Sequence, residues 1–320
     1  MPFTDMPRSE LVKYAPDLPW PEDLEEFWSA TLADNRALVE TPVIKRIDTG
    51  LKVVDSFDVT FSGFGGHPIR AWLHLPAKVD EPLAAVVVYA GYGGGRGLPL
   101  DVSVYTLAGY GCLHMDTRGQ GSAWTVGDTP DPVGAAPTHP GFMTKGILDP
   151  HAYYYRRVYT DAVLAVEAVR RLPMVRPDRV AVAGGSQGGG ISLAVAALLP
   201  DVWAAIVDFP FLCDFRRATE IADCDPYLEI VRYLKIHRDH VAAVFSTLAY
   251  FDAAALARLA RAPALFSCGL MDRITPPSTV YAAFNRYGGD KEMIEYPFND
   301  HEGGGGFQHL RQLRWLASLM

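Results

Sequence analysis

Short apolar runs separated by longer amphipathic stretches set the rhythm of this chain. Residues 84–90 (AAVVVYA), 112–116, 180–183, 204–207 and 264–268 are apolar and mostly rich in β-branched residues, as strands covered on both faces require. Residues 155–172 and 187–199 carry helical spacing between them. The alternation predicts right-handed crossovers building a doubly covered, mostly parallel sheet, the α/β class. Ahead of these, 53–61 and 68–75 flank the glycine-rich 62–66 and predict an antiparallel hairpin. At the front, Pro21 suits a first helical turn, and Leu24, Phe27, Trp28, Leu32 and Leu38 fall on one apolar face. Residues 1–40 are therefore expected to form a helical extension packed on the main body. The rhythm stops between 208 and 263, where 227–250 reads as helical, aromatic and arginine-rich. Residues 209–262 are expected to form a helical insertion or cap at the carboxyl edge of the sheet, where α/β folds bind ligands. The chain, 1–320, reads as one domain with these two additions.

Composition narrows the partners. The chain has 320 residues, 49% hydrophobic and 21% charged, the make-up of a soluble globular protein with a large core. Its net charge of -8 has no long basic or acidic run and gives no footprint for nucleic acid or an anionic membrane. The N-terminus lacks the pattern of a secretory signal, and no stretch reaches the ~18 unbroken apolar residues of a membrane span, so a cytoplasmic setting is expected. The four cysteines, Cys112, Cys213, Cys224 and Cys268, lack the paired spacing of a zinc site. Cys112 and Cys268 fall in strand-like runs and are expected as buried thiols. A reducing compartment argues against a Cys213–Cys224 bridge. No metal or cofactor is implied.

The chemistry concentrates in one motif. The apolar run 180–183 leads into Gly184-Gly185-Ser186-Gln187-Gly188 and then into a helix, the strand-turn-helix context that G-x-S-x-G requires. So sharp a turn strains the serine, and glycines on either side let strand and helix pack around it. The turn presents the hydroxyl upward and aims the first helical N–H groups, beginning with that of Gln187, at a developing oxyanion. A glycine-rich turn whose serine merely caps the helix is the plainer alternative.

A serine hydroxyl needs a histidine to take its proton and a carboxylate to hold that histidine, in the chain order Ser, Asp, His. Asp272 follows the run 264–268, and His301 follows the strand-like 293–296. Both therefore lie at the sheet edge that carries Ser186, in the arrangement of the α/β-hydrolase fold. Asp208 also follows a strand and competes as the acid, while Asp300 is too close in sequence to reach its neighbour's ring. Of the nine histidines, His114 lies in a strand, His151 precedes the serine, and His237, His240 and His309 lie in expected helices. A second oxyanion donor is expected from 91–97 (GYGGGRG), with the Tyr92 N–H as candidate. That string lacks the spacings of a phosphate loop or dinucleotide fingerprint. In Asp116-Thr117-Arg118-Gly119-Gln120-Gly121, Arg118 suits either a substrate carboxylate or, more naturally, an ion pair between loops. Gln120 joins it behind the site, and Glu302 is a candidate for fixing the His301 loop.

Together, Arg118-Gly119-Gln120, Gly184-Gly185-Ser186-Gln187-Gly188 and His301-Glu302 resemble the acetyl xylan esterase and cephalosporin C deacetylase family of carbohydrate esterases. Gly269-Leu-Met-Asp272, Pro276-Pro277-Ser-Thr-Val and the N-terminal Pro2-Phe-Thr-Asp-Met-Pro extend the likeness over nearly the whole chain. The resemblance implies a cytoplasmic serine esterase acting on acetylated xylo-oligosaccharides and other small acetyl esters, cephalosporin C included. It implies the triad Ser186, Asp272 and His301 with the N–H groups of Tyr92 and Gln187 as oxyanion hole. It also implies a doughnut-shaped hexamer whose inward-facing sites exclude polymeric xylan. A serine peptidase, another short-chain carboxylesterase or a silent binding protein of the same fold are the competing readings.

Overall fold

The computed structural model of the chain describes residues 5–79, 81–133 and 141–320. The Pro2 to Pro7 run noted above begins outside the described residues. Helices α1 (Arg8–Leu11) and α2 (Leu24–Arg36) precede strands β1 (Val43–Ile47), β2 (Val54–Ser62), β3 (Pro68–Pro76) and β4 (Leu83–Tyr89). Then come α3 (Val104–Leu107), β5 (Gly111–Met115), α4 (Tyr154–Arg170), β6 (Val175–Gly185), α5 (Gln187–Leu198) and β7 (Ala205–Asp208). Four helices follow, α6 (Phe215–Ile221), α7 (Tyr227–Ile236), α8 (Val241–Leu248) and α9 (Ala253–Leu256). The chain ends with β8 (Ala264–Gly269), α10 (Pro277–Arg286), β9 (Lys291–Tyr296) and α11 (Gly305–Ser318).

The strands form one nine-stranded sheet in the order β1-β2-β3-β5-β4-β6-β7-β8-β9. The expected hairpin is β2 against β3, antiparallel, and β3 also runs antiparallel to β5. From β5 through β4 and β6 to β9 every pairing is parallel. The order reverses at β4, whose successor β5 lies on one side and β6 on the other. The loops leaving β4 and β6 diverge there and open a crevice at the carboxyl ends, the usual ligand site of such sheets.

The strands are apolar on both faces because both faces are covered. Ala85 and Val87 of β4, Val180 and Val182 of β6, and Ala205 and Val207 of β7 join the larger core under α2, α4, α5 and α9. Their neighbours Ala84, Val86, Ala181, Ala183, Ala204 and Ile206 point to a smaller core closed by Tyr105 of α3 and Leu316 of α11. On α2, Trp28 donates its indole N–H to the Tyr250 carbonyl at 2.9 Å and packs against Phe251, tying the N-terminal helix to the inserted helices.

Four local readings change. Strand β1 adds an antiparallel edge that the pattern did not reveal, because its residues are mostly exposed and Lys45 and Arg46 interrupt it. Strand β6 starts at Val175, which pairs with Leu83 ahead of the apolar stretch. Leu38 lies beyond the end of α2 and is 50% exposed, so it does not share the buried face. The helical pattern of 227–250 divides into α7 and α8 at His237, whose φ of -97° and ψ of 71° leave the helical region. Among the described residues, the helical run Arg238–Leu259 is long and apolar enough by composition to cross a membrane. Of its apolar side chains, Val244, Leu248, Phe251 and Leu256 belong to the core.

Candidate active site

A single residue turns the chain from β6 into α5. Ser186 has φ 56° and ψ -121°, a conformation that costs a non-glycine residue about 1–3 kcal/mol. Its surroundings impose it. Its N–H donates to the Asp208 carbonyl (3.1 Å), and its own carbonyl accepts from the Phe211 and Gly190 amides (2.9 and 3.0 Å). The flanking glycines are steric requirements: a Cβ at Gly184 would come 2.4 Å from the Gly188 carbonyl carbon, and one at Gly188 would come 2.1 Å from the Tyr89 carbonyl oxygen. Ser186 is 8% exposed and lines a cavity of about 840 Å³, together with Tyr92, Trp124, Phe209, Pro226 and His301.

Asp272 and His301 meet as the chain order predicts. The imidazole Nδ1 lies 2.8 Å from Asp272 Oδ2, and Asp272 is 1% exposed. Oδ1 accepts from the Ile274 and Thr275 amides at 2.8 and 2.9 Å, and Oδ2 also accepts from the Thr275 hydroxyl at 2.8 Å. A carboxylate so held can only accept from Nδ1, which places the proton of a neutral imidazole there and leaves Nε2 as a proton acceptor. The Phe209 ring meets the imidazole edge to face at 4.9 Å. Among the described residues no hydrogen bond joins the Ser186 hydroxyl to His301; the two groups share the cavity wall.

Asp208, the competing acid, is otherwise engaged. Its carboxylate accepts from Ser267 Oγ (2.7 Å), Gln308 Nε2 (2.9 Å) and Gln312 Nε2 (2.5 Å), which fastens α11 to the end of β7. Burial pushes its pKa up to about 6 against the pull of those three donors.

The loop after β4 is clamped beside the serine. Gln120 Oε1 accepts the Gly93 N–H at 2.7 Å, while its Nε2 donates to Gln187 Oε1 (2.9 Å) and the Tyr154 hydroxyl (3.1 Å). Tyr155 donates to the same Gln187 oxygen at 2.9 Å, and Tyr154 donates to the Arg118 carbonyl at 2.5 Å. The backbone N–H groups of Tyr92 and Gln187 donate in no hydrogen bond among the described residues. Arg118 is fully buried, with Nε and Nη2 on Asp161 at 2.5 and 2.7 Å and Asp131 at 3.5 Å, so its guanidinium is spent on ion pairing and is closed to a substrate. Glu302 accepts from the Asn299 side chain and from the Asp300 N–H, bracing the turn that carries His301. Cys213 and Cys224 are free thiols, their Sγ atoms directed to the carbonyls of Phe211 and Arg273 respectively. Among the described residues no group of three or more His, Cys, Asp or Glu side chains has the arrangement to hold a metal ion.

Sequence reasoning missed Phe209 and Tyr154–Tyr155. The triple tyrosine 153–155 was a visible signal, since three hydroxyls opening a buried helix need partners; Phe209 left none.

Comparison with known proteins places these residues in a family. The family model described as acetyl xylan esterase matches residues 1–319. The acetyl esterase Axe7A of Xylanibacter ruminicola is 28% identical over 290 residues, covering 88% of this chain and 63% of its own length. The chain thus spans under two thirds of that relative. The solved acetyl xylan esterase of a Paenibacillus species superposes with a TM-score of 0.93 at 36% identity, covering 98% of this chain and 100% of its own. Acetyl xylan esterase 1 of a Thermoanaerobacterium species does so with a TM-score of 0.91 at 32% identity, over 98% and 99% of the two chains. With the whole chain matched and the strained serine, carboxylate-held histidine and sheet order all in place, this protein belongs to the acetyl xylan esterase family of carboxylic ester hydrolases, on the α/β-hydrolase fold.

Proposed function

We propose that the protein is a serine esterase that removes acetyl groups from small acetylated carbohydrates such as xylo-oligosaccharides, and from related acetyl esters such as cephalosporin C. The observation that carries this reading is an imidazole held at Nδ1 by a buried carboxylate, 2.8 Å away, on the wall of the cavity that the Ser186 hydroxyl enters. His301 Nε2 takes the Ser186 proton as Oγ bonds to the acetyl carbon. The carbonyl electron pair moves onto oxygen, which the Tyr92 and Gln187 N–H groups receive. Collapse breaks the bond to the sugar oxygen, and that oxygen takes the proton from His301. Water then repeats the sequence on the acetyl-enzyme and releases acetate.

A cavity of about 840 Å³ has room for an acetyl group together with a short sugar. The names of the relatives, an acetyl esterase and two acetyl xylan esterases, support the same substrate class. The family resemblance further suggests a hexamer with inward-facing sites and a cytoplasmic location; light scattering on the purified protein and cell fractionation test these two. The catalytic reading predicts that Ser186→Ala lowers p-nitrophenyl acetate turnover roughly 10⁴-fold or more, and near-normal turnover ends it. The substrate reading predicts that acetate is the best of a series of p-nitrophenyl esters and that acetylated xylo-oligosaccharides release acetate. A preference for octanoate, or faster cleavage of proline-containing amides, overturns the deacetylase assignment.

A further inference from the structure

Tyr92 is fixed at both ends. Its carbonyl accepts the Trp124 indole N–H at 2.9 Å, and the next amide, of Gly93, is held by Gln120. At the far end of its ring the hydroxyl donates to Glu229 Oε1 at 2.6 Å and accepts the Phe142 N–H at 2.6 Å. Glu229 Oε2 accepts the adjacent Met143 N–H at 3.0 Å. Three bonds thus close a clasp among segments far apart in sequence: the loop after β4, residues 141–143, and helix α7 of the insertion. The clasp is built in. Glu229 is 5% exposed, and a Cβ at Gly141, whose φ is 129°, would lie 2.1 Å from its carboxylate. Glu229 is not among the residues lining the cavity.

The Tyr92 peptide therefore receives its position through a tyrosine ring whose distal end is set by an acid on another element. We propose that Glu229 is a positioning residue for the esterase reaction, holding the Tyr92 ring so that the Tyr92 N–H stays aimed at the oxyanion. The proposal rests on the serine esterase reading above. A carboxylate is needed because the two oxygens receive two different donors, Tyr92 O–H and Met143 N–H; an amide offers one acceptor and leaves one donor facing another donor. The reactive geometry is sensitive to such a loss, since displacements near 1 Å in a catalytic constellation cost on the order of 10²-fold. Substrate affinity is expected to change little, because Glu229 does not line the cavity.

The test compares Glu229→Gln, Tyr92→Phe and the double variant on p-nitrophenyl acetate, with active serines counted by stoichiometric phosphonate labelling. Per labelled serine, each single variant is expected to lose kcat about 10-fold with KM within twofold, and the double variant to be no worse than about either single one, because both break one clasp. A role confined to stability lowers the labelled fraction and leaves kcat per serine unchanged, and that result overturns the proposal. So does a double variant whose losses multiply, or a loss confined to KM. Turnover by Ser186→Ala separates the two levels: if that variant is dead while Glu229→Gln is normal per serine, the positioning role alone fails; if it is active, the esterase reading fails with it.

Discussion

The two sides of the cavity are held by different means. On the oxyanion side, the Tyr92 loop is clamped by buried side chains from distant parts of the chain, Gln120, Gln187, Tyr154 and Glu229. On the base side, the two loops that carry Asp272 and His301 are braced within themselves and against each other: Asp272 accepts from amides two and three residues on, Glu302 accepts from the Asp300 N–H and the Asn299 side chain, and the Met271 N–H donates to the Asn299 carbonyl at 3.1 Å. The donors to the oxyanion must be fixed before the reaction, since their value lies in needing no reorganisation. The base sits on a tight turn instead, in which Gly303 and Gly304 beside His301 take positive φ and lead into α11.

The difference predicts a gradient of effects. Asp272→Asn comes first: the amide can present its NH₂ to Nδ1, favouring the wrong tautomer, and turnover of p-nitrophenyl acetate falls roughly 10⁴-fold with the fold retained by circular dichroism. Gln120→Ala comes next, because it removes the acceptor of the Gly93 N–H and the partner of Gln187 together; about 10²-fold in kcat with little change in KM is expected from steady-state kinetics. If Gln120→Ala proved silent, the pre-set oxyanion side would be a fiction. Glu302→Gln leaves an oxygen for one of its two donors on an exposed turn, so kcat changes by only about two- to fivefold.

The sheet beneath the two sides also titrates in opposite directions. His74 of β3 and His114 of β5, on the oxyanion side, are pulled down to about 4 by burial. Protonation of both is costly only in the folded state, so this contribution is lost as pH falls from about 6.5 towards 4. Asp208, on the base side, is pushed up to about 6, so its burial costs stability as pH rises from about 4 through 6. His114→Phe is therefore expected to shrink the drop in Tm between pH 6.5 and 4.5 by a few degrees, the smallest of these effects, read by thermal melts. An unchanged acid slope removes His114 from the account.

What the chain revealed in advance follows the same division. The elbow at Ser186 and the meeting of Asp272 with His301 were legible because a parallel sheet fixes the order in which its strand ends arrive, and a local glycine signature marks the elbow. The continuous apolar runs gave the central strands for the same physical reason, burial on both faces. Strand β1 escaped because a solvated edge needs no apolar pattern. The oxyanion clamp escaped because a buried glutamine, tyrosine or glutamate announces that it has partners without saying which. Arg118 shows the limit most plainly: the substrate and structural readings of its position differ only in where Asp161 and Asp131 lie in space.

The central claim is that Ser186 is made nucleophilic by a histidine that Asp272 orients. Mass spectrometry of the protein treated with an organophosphonate tests it most directly. One adduct, on Ser186, forming on the order of 10³-fold more slowly in His301→Ala, is the predicted result. No adduct at Ser186, or equal labelling rates with and without the imidazole, would contradict it.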